Sequence, residues 1–209
     1  VSNASGTAFG TVLSFTIPGP PVTLTTGATS VASTTATLQG SANPVAAATT
    51  GWFRYATASP GTCNDTFGTR APAAGGSALG SGTSSVDYTR AIAALLPGTT
   101  YYYCAIASNA YGTTFGAVVS FTTPAIAPVV TTGGATGLTS PTATLNATAV
   151  PGGDSSVGWF RYSATSPGAC NDTFGTRAPA RGGSARGSGT AGGDFSQGAP
   201  GLLPGTTYY

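Results

Sequence analysis

The chain has 209 residues, 40% of them hydrophobic, and only 6% are charged, against roughly a quarter in an ordinary soluble domain. All seven cations are Arg and all five anions are Asp, for a net charge of +2, and there is no His, Lys, Glu or Met. Most acid–base and metal constellations need the missing residues, and the scattered Arg form no basic run for nucleic acid. No run of about eighteen apolar residues exists to cross a bilayer as a helix. Neither an initiator Met nor a signal peptide is present, so the chain reads as mature, processed or cut. Gly and Pro are abundant, but regularly spaced Tyr, Phe, Val and Ile suffice to bury a core, which argues for an ordered chain.

Residues 1–16 (VSNASGTAFGTVLSFT) match residues 107–122 (ASNAYGTTFGAVVSFT) at an offset of 106. Residues 22–25 then read as a strand, 35–38 as a second, and Asn43-Pro44 opens the turn that follows. Trp52-Phe53-Arg54-Tyr55 alternates as a half-buried strand does. The stretch 57–85 is rich in Gly, Ser and Ala, which predicts a surface loop rather than an element. Residues 87–94 form another strand, Leu95-Leu96-Pro97-Gly98 a corner, 101–109 the clearest strand, and 117–122 the last. No segment shows a 3.6-residue period.

Residues 51–83 recur at 158–190, 107 residues later, with 27 of 33 positions identical. A period of this length is that of a whole small β domain. The expected organisation is an end piece over 1–17, a complete sandwich over 18–123, and a second over 124–209 that lacks its final strands. Cys63 and Cys170 are equivalent, and the equivalent of Cys104 falls at 211, so the odd Cys count reflects where the sequence stops. One pair per complete unit reads as a Cys63–Cys104 disulfide in an oxidising, extracellular setting, with Cys170 pairing outside this chain. Two buried free thiols are the alternative.

The run Leu96-Pro97-Gly98-Thr99-Thr100-Tyr101-Tyr102-Tyr103, the turn Ala107-Ser108-Asn109-Ala110-Tyr111-Gly112 and Val119-Ser120-Phe121-Thr122-Thr123 resemble bacterial fibronectin type III-like domains, in strand F, the F–G turn and strand G. Thr35-Ala36-Thr37-Leu38 and Phe53-Arg54-Tyr55 resemble strands B and C. The resemblance implies an all-β fold of tandem fibronectin type III/immunoglobulin-like antiparallel sandwiches that starts and ends mid-domain. It implies little about activity. In that fold Tyr101, Tyr103, Ala105 and Ala107 point inward against Phe53 and Tyr55, while Trp52 and Cys104 point outward. A bond from Cys104 to Cys63 then straps the long loop onto the outer face.

Functionally, no catalytic constellation and no cofactor is expected. Asp65 and Asp172 lie in repeated Cys-Asn-Asp-Thr runs, read as turn caps with too few acidic oxygens for calcium. Asn3, Asn64, Asn146 and Asn171 fit the Asn-X-Ser/Thr pattern and are candidate glycosylation sites. Trp52 and Trp159 are candidate sugar-stacking platforms, weighed against packing beneath the strapped loop. The ends fit one another in register. The function expected is therefore a structural subunit of an extracellular filament or cell-surface stalk, joined to copies of itself head to tail in a continuous array or by strand exchange. A surface adhesin or carbohydrate-binding protein, or spacer domains of a secreted hydrolase, are the alternatives.

Overall fold

Short runs of Thr, Val and aromatic residues favour extended backbone, and the Gly and Pro between them end each run. The computed structural model, which describes residues 1–209, is accordingly all-β, with antiparallel sheets that form β-sandwich architecture and no helix. Two compact units are present. One comprises Val1–Ala28, Leu38–Arg90 and Tyr102–Ser120; the other comprises Thr29–Thr37, Ala91–Tyr101 and Phe121–Tyr209.

The chain opens with a two-residue hairpin, β1 (Ser2–Asn3) against β2 (Gly6–Thr7). Residues 8–21 have no regular secondary structure, and Phe9, Val12, Leu13 and Phe15 are exposed. Then follow β3 (Val22–Thr29), β4 (Ala36–Asn43), β5 (Thr49–Ala56), β6 (Thr69–Ala71), β7 (Ser77–Gly80) and β8 (Val86–Ile92). The series continues with β9 (Thr100–Asn109), β10 (Gly112–Phe115) and β11 (Val119–Thr122). One sheet has the order β10-β9-β5-β6, with β11 also on β9 and β7 also on β5; the other is β3-β4-β8.

The 57–85 stretch, expected to be a loop without elements, contains β6 and β7. Both fold back onto β5, with Phe53 opposite Ala71, Arg54 opposite Arg70 and Gly51 opposite Ser77. Thr and Arg side chains tolerate the pleat, and the Gly residues between supply the bends, which is why composition alone read only the bends.

Alternation along β5 and β9 buries Phe53, Tyr103, Ala105 and Ala107 on one face. Phe53 packs against Tyr88 and Tyr103, at ring-centroid distances of 4.9 and 6.3 Å. Burial disfavours the phenolate of both tyrosines. Tyr88, whose hydroxyl donates to the Ile106 carbonyl, is pushed above the usual tyrosine range, and Tyr103 is raised from 10.0 to about 12. Between pH 10 and 12 the unfolded chain loses the Tyr103 proton and the folded chain keeps it, so stability present below pH 10 is lost as pH rises. The expected slope is about 1.4 kcal/mol per pH unit for this residue. Urea midpoints recorded from pH 8 to 12 check it; a flat profile contradicts it.

The second unit contains β12 (Val129–Thr139), β13 (Thr142–Val150) and β18 (Gly193–Ala199) in one sheet, in the order β12-β13-β18. β14 (Ser156–Gly158) pairs with β17 (Ser184–Gly187), and β15 (Phe160–Tyr162) with β16 (Thr176–Ala178). Its core is smaller: Ala147, Ala149, Phe160, Ala178 and Phe195, with Leu145 and Tyr162 against it. At each Leu-Pro-Gly corner a backbone N–H donates to a tyrosine hydroxyl, Leu96 to Tyr101 at 2.9 Å and Leu203 to Tyr208 at 3.0 Å.

Candidate functional site

The most elaborate side-chain arrangement is the one that holds the 57–85 segment to β5. Residues two apart on a strand share a face, so Trp52 and Arg54 lie together opposite the Phe53 side. The β5–β9 register sets Ile106 beside Trp52 and Cys104 beside Arg54. Cys63 and Cys104 form a disulfide that closes a 41-residue separation. Trp52, Cys104 and Ile106 make a small apolar cluster with Cys63, Phe67 and Val118 against it.

Polar groups complete the clip. Asp65 Oδ1 accepts Trp52 Nε1–H at 2.8 Å and Arg54 Nε–H at 3.0 Å. Arg54 also donates to the carbonyls of Phe67 and Gly68, at 3.4 and 3.3 Å. The Arg70 guanidinium lies 4.6 Å from the Trp52 ring centre and donates to the Pro72 carbonyl at 2.7 Å. Asn64 Oδ1 accepts from the Thr66 N–H, the Thr66 hydroxyl and the Phe67 N–H, which fixes the Cys-Asn-Asp-Thr turn. Gly68 has φ 50°, and a Cβ there would meet the Tyr55 carbonyl at 2.2 Å, so only glycine fits that place.

The second unit repeats the clip without its disulfide. Asp172 accepts from Trp159 at 2.8 Å and Arg161 at 3.0 Å, and Arg177 lies 4.7 Å over the Trp159 ring. The Trp159 and Arg161 donors hold the exposed Asp172 carboxyl below the usual carboxylate range. Cys170 is free and exposed. Trp159 is 39% exposed where Trp52 is 8% exposed.

This difference separates two otherwise identical carboxylates. Asp65→Ala strands the buried Trp52 N–H and one Arg54 donor, at a cost of about 1–2 kcal/mol. Asp172→Ala leaves groups that water reaches, and the stability of the second unit barely moves. Urea midpoints of the two variants check this, and equal shifts would contradict it.

The candidate residues fall into distinct environments. Trp52 is closed to sugar stacking: its ring lies beneath Arg70 and among Cys104 and Ile106. Trp159 is more open but also carries a guanidinium on one face. Asn3 and Asn171 are exposed and Asn64 is half-buried. Asn146 Nδ2 already donates to the Gly134 carbonyl at 2.8 Å and the Thr136 hydroxyl at 3.0 Å. No group of three or more His, Cys, Asp or Glu side chains comes together. The clip itself holds no nucleophile beside a base. Its roles for Asp65 and Arg70 were not read from the sequence. The legible signal was the recurrence of Trp, Asp and Arg at the same spacing in both copies.

No protein-family model matches the chain, and no curated protein does. Among solved structures it is similar to the sensor domain of the anti-sigma factor RsgI4 of Pseudobacteroides cellulosolvens. The shorter form is 19% identical with a TM-score of 0.37, covering 52% of this chain and 98% of that one. The longer form is 16% identical with a TM-score of 0.33, covering 51% and 91%. The expectation of a filament or stalk subunit built from head-to-tail copies is corrected: these two solved structures are sensor domains, not filament subunits.

Proposed function

We propose that the chain is a non-catalytic extracellular recognition module of fibronectin type III-like sandwiches, whose clipped loop offers a rigid, neutral surface to an uncharged ligand. The observation that carries this reading is the internal pairing of every charge in and beneath the loop. Asp65 is taken by Trp52 and Arg54, Arg54 by two loop carbonyls, and Arg70 by those of Pro72 and Gly75. Thr62 is exposed as a hydrogen-bonding group, beside exposed Ser59 and Thr66, whose hydroxyls also bond within the loop. A loop already immobilised loses little further entropy on binding.

The tyrosine-to-backbone bonds at both Leu-Pro-Gly corners support the sandwich family, since immunoglobulin-like folds place such a bond there. The disulfide supports an oxidising, extracellular location. Attached sugars, in the same reading, belong on Asn3 and Asn171.

An array of neutral and acidic oligosaccharides and short peptides, probed with the native and the reduced chain, tests the proposal. Neutral members should be bound, equally at about 0.1 and 0.5 M salt, and released when Cys63–Cys104 is reduced. A preference for charged members, or binding indifferent to reduction, would overturn it.

A further inference from the structure

Strand alternation puts the clip on one face of the sheet that contains β5, β9 and β10, and that face continues past the clip. The register sets Trp52, Ile106 and Phe115 side by side across β5, β9 and β10, and Thr50, Ser108 and Thr113 in the next row. Trp52 and Ile106 are sealed beneath the clip, at 8% and 0% exposure, whereas Phe115 is 44% exposed. Cys63, Phe67 and Val118 cover the first two residues of that row. The clip thus stops short of β10 and leaves an aromatic ring open at its border.

The next row carries hydroxyls with a defined polarity. Ser108 donates to the Gly112 carbonyl at 3.4 Å, so in the Ser108–Thr113 pair, whose oxygens lie 2.8 Å apart, Thr113 is the donor. Both protons are then used, and the two oxygens keep lone pairs for an incoming donor. Thr50 and Thr113 are exposed and Ser108 is half-buried. No charged side chain stands in either row, and Arg54, Arg70 and Asp65 of the adjoining clip are held by clip groups. The two rows lie about 7 Å apart along the strands and extend about 10 Å across the three of them.

We propose, resting on the reading of the clipped loop as a recognition surface, that this shelf binds the ring of a neutral sugar, laid flat on Phe115 with its hydroxyl edge toward Thr113, Ser108 and Thr50. Charge complementarity selects the class: an ionic group set down here would lose water and gain no counter-charge. The C–H face of a sugar ring is apolar and is removed from water against Phe115. The edge of the same ring supplies hydroxyl donors to the free lone pairs of Thr113 and Ser108. A peptide fits less well, because its donors are main-chain N–H groups, which pair with strand edges rather than with hydroxyls standing on a sheet face. Phe115 therefore offers the stacking surface that burial denies to Trp52. The clip forms one wall of the shelf, so its disulfide holds the site in shape before the sugar arrives.

The test uses the whole chain and follows, by anisotropy, fluorescent neutral hexamers of glucose, mannose and galactose and an uncharged Gly/Ser peptide of equal length. At least one hexamer should bind saturably, and the peptide should not. Phe115→Ala should weaken that binding about tenfold or more, while Phe115→Tyr, which keeps the ring, retains it. Thr113→Val, which keeps the shape and removes the acceptor, should weaken it about fivefold. Both positions are exposed, so circular dichroism should stay native in all three variants. Binding of the peptide but of no hexamer, or hexamer binding indifferent to Phe115→Ala, would overturn the sugar shelf and leave the loop reading standing. Hexamer binding that Phe115→Ala abolishes but reduction of Cys63–Cys104 leaves unchanged would uphold the shelf and sink the loop's part in it. Binding of no probe at all would overturn the shelf.

Discussion

Reduction of the Cys63–Cys104 bond lowers the stability of the first unit by about 4 kcal/mol and leaves the second unit unchanged. The figure follows from the closed loop: tying residues 41 apart removes loop-closure entropy from the unfolded chain. Folded-state packing adds in the same direction. Cys63 and Phe67 cover Trp52, Cys104 and Ile106, and without the bond that cover is held by the Asp65, Arg54 and Arg70 contacts and the pairing of β6 with β5. The second unit contains the same clip and no disulfide, so it serves as an internal control. Urea titrations of oxidised and reduced chain should show one transition moving and one fixed. The double variant Cys63→Ala, Cys104→Ala should move the same transition. Two unmoved midpoints would mean that the clip alone restrains the loop.

The fold was legible where it is encoded locally. Ser2–Asn3 and Gly6–Thr7 pair as Ser2 with Thr7 and Asn3 with Gly6, and Ser108 with Thr113 and Asn109 with Gly112 repeat that register. In each hairpin the Asn side chain accepts an N–H two residues on, Ser5 or Tyr111, at 2.9 Å. A turn specified by its own side chains forms wherever the sequence occurs, so matching 1–16 to 107–122 located it. Strand alternation likewise assigned Phe53, Tyr103 and Ala105 to the core, because a period of two fixes a face.

The candidate site was less legible, for a physical reason. The clip is made by partners 11 to 18 residues apart, Arg54 to Asp65 and Trp52 to Arg70, across a segment whose Gly and Ser content conceals its pairing with β5. Spacing showed that Trp52 and Cys104 faced outward. It could not show that Arg70 would lie over the indole and close it.

Phe53→Ala should destabilise the first unit by about 4 kcal/mol, and Phe160→Ala the second by roughly half as much, although the two residues occupy equivalent places. Phe53 is sealed: it is 1% exposed, with Tyr88 and Tyr103 against its ring. Truncation there loses the transfer energy of the ring and leaves an empty cavity that β5 and β9 cannot close. Phe160, 8% exposed, touches Phe195 at 4.8 Å on one side and lines a cleft of about 730 Å³ on the other. Truncation there widens an existing cleft rather than opening an enclosed void, so the cavity contribution is small and the transfer contribution remains. Urea midpoints of the two variants measure the difference directly. Equal losses would mean that the cleft wall collapses around the space left by Phe160.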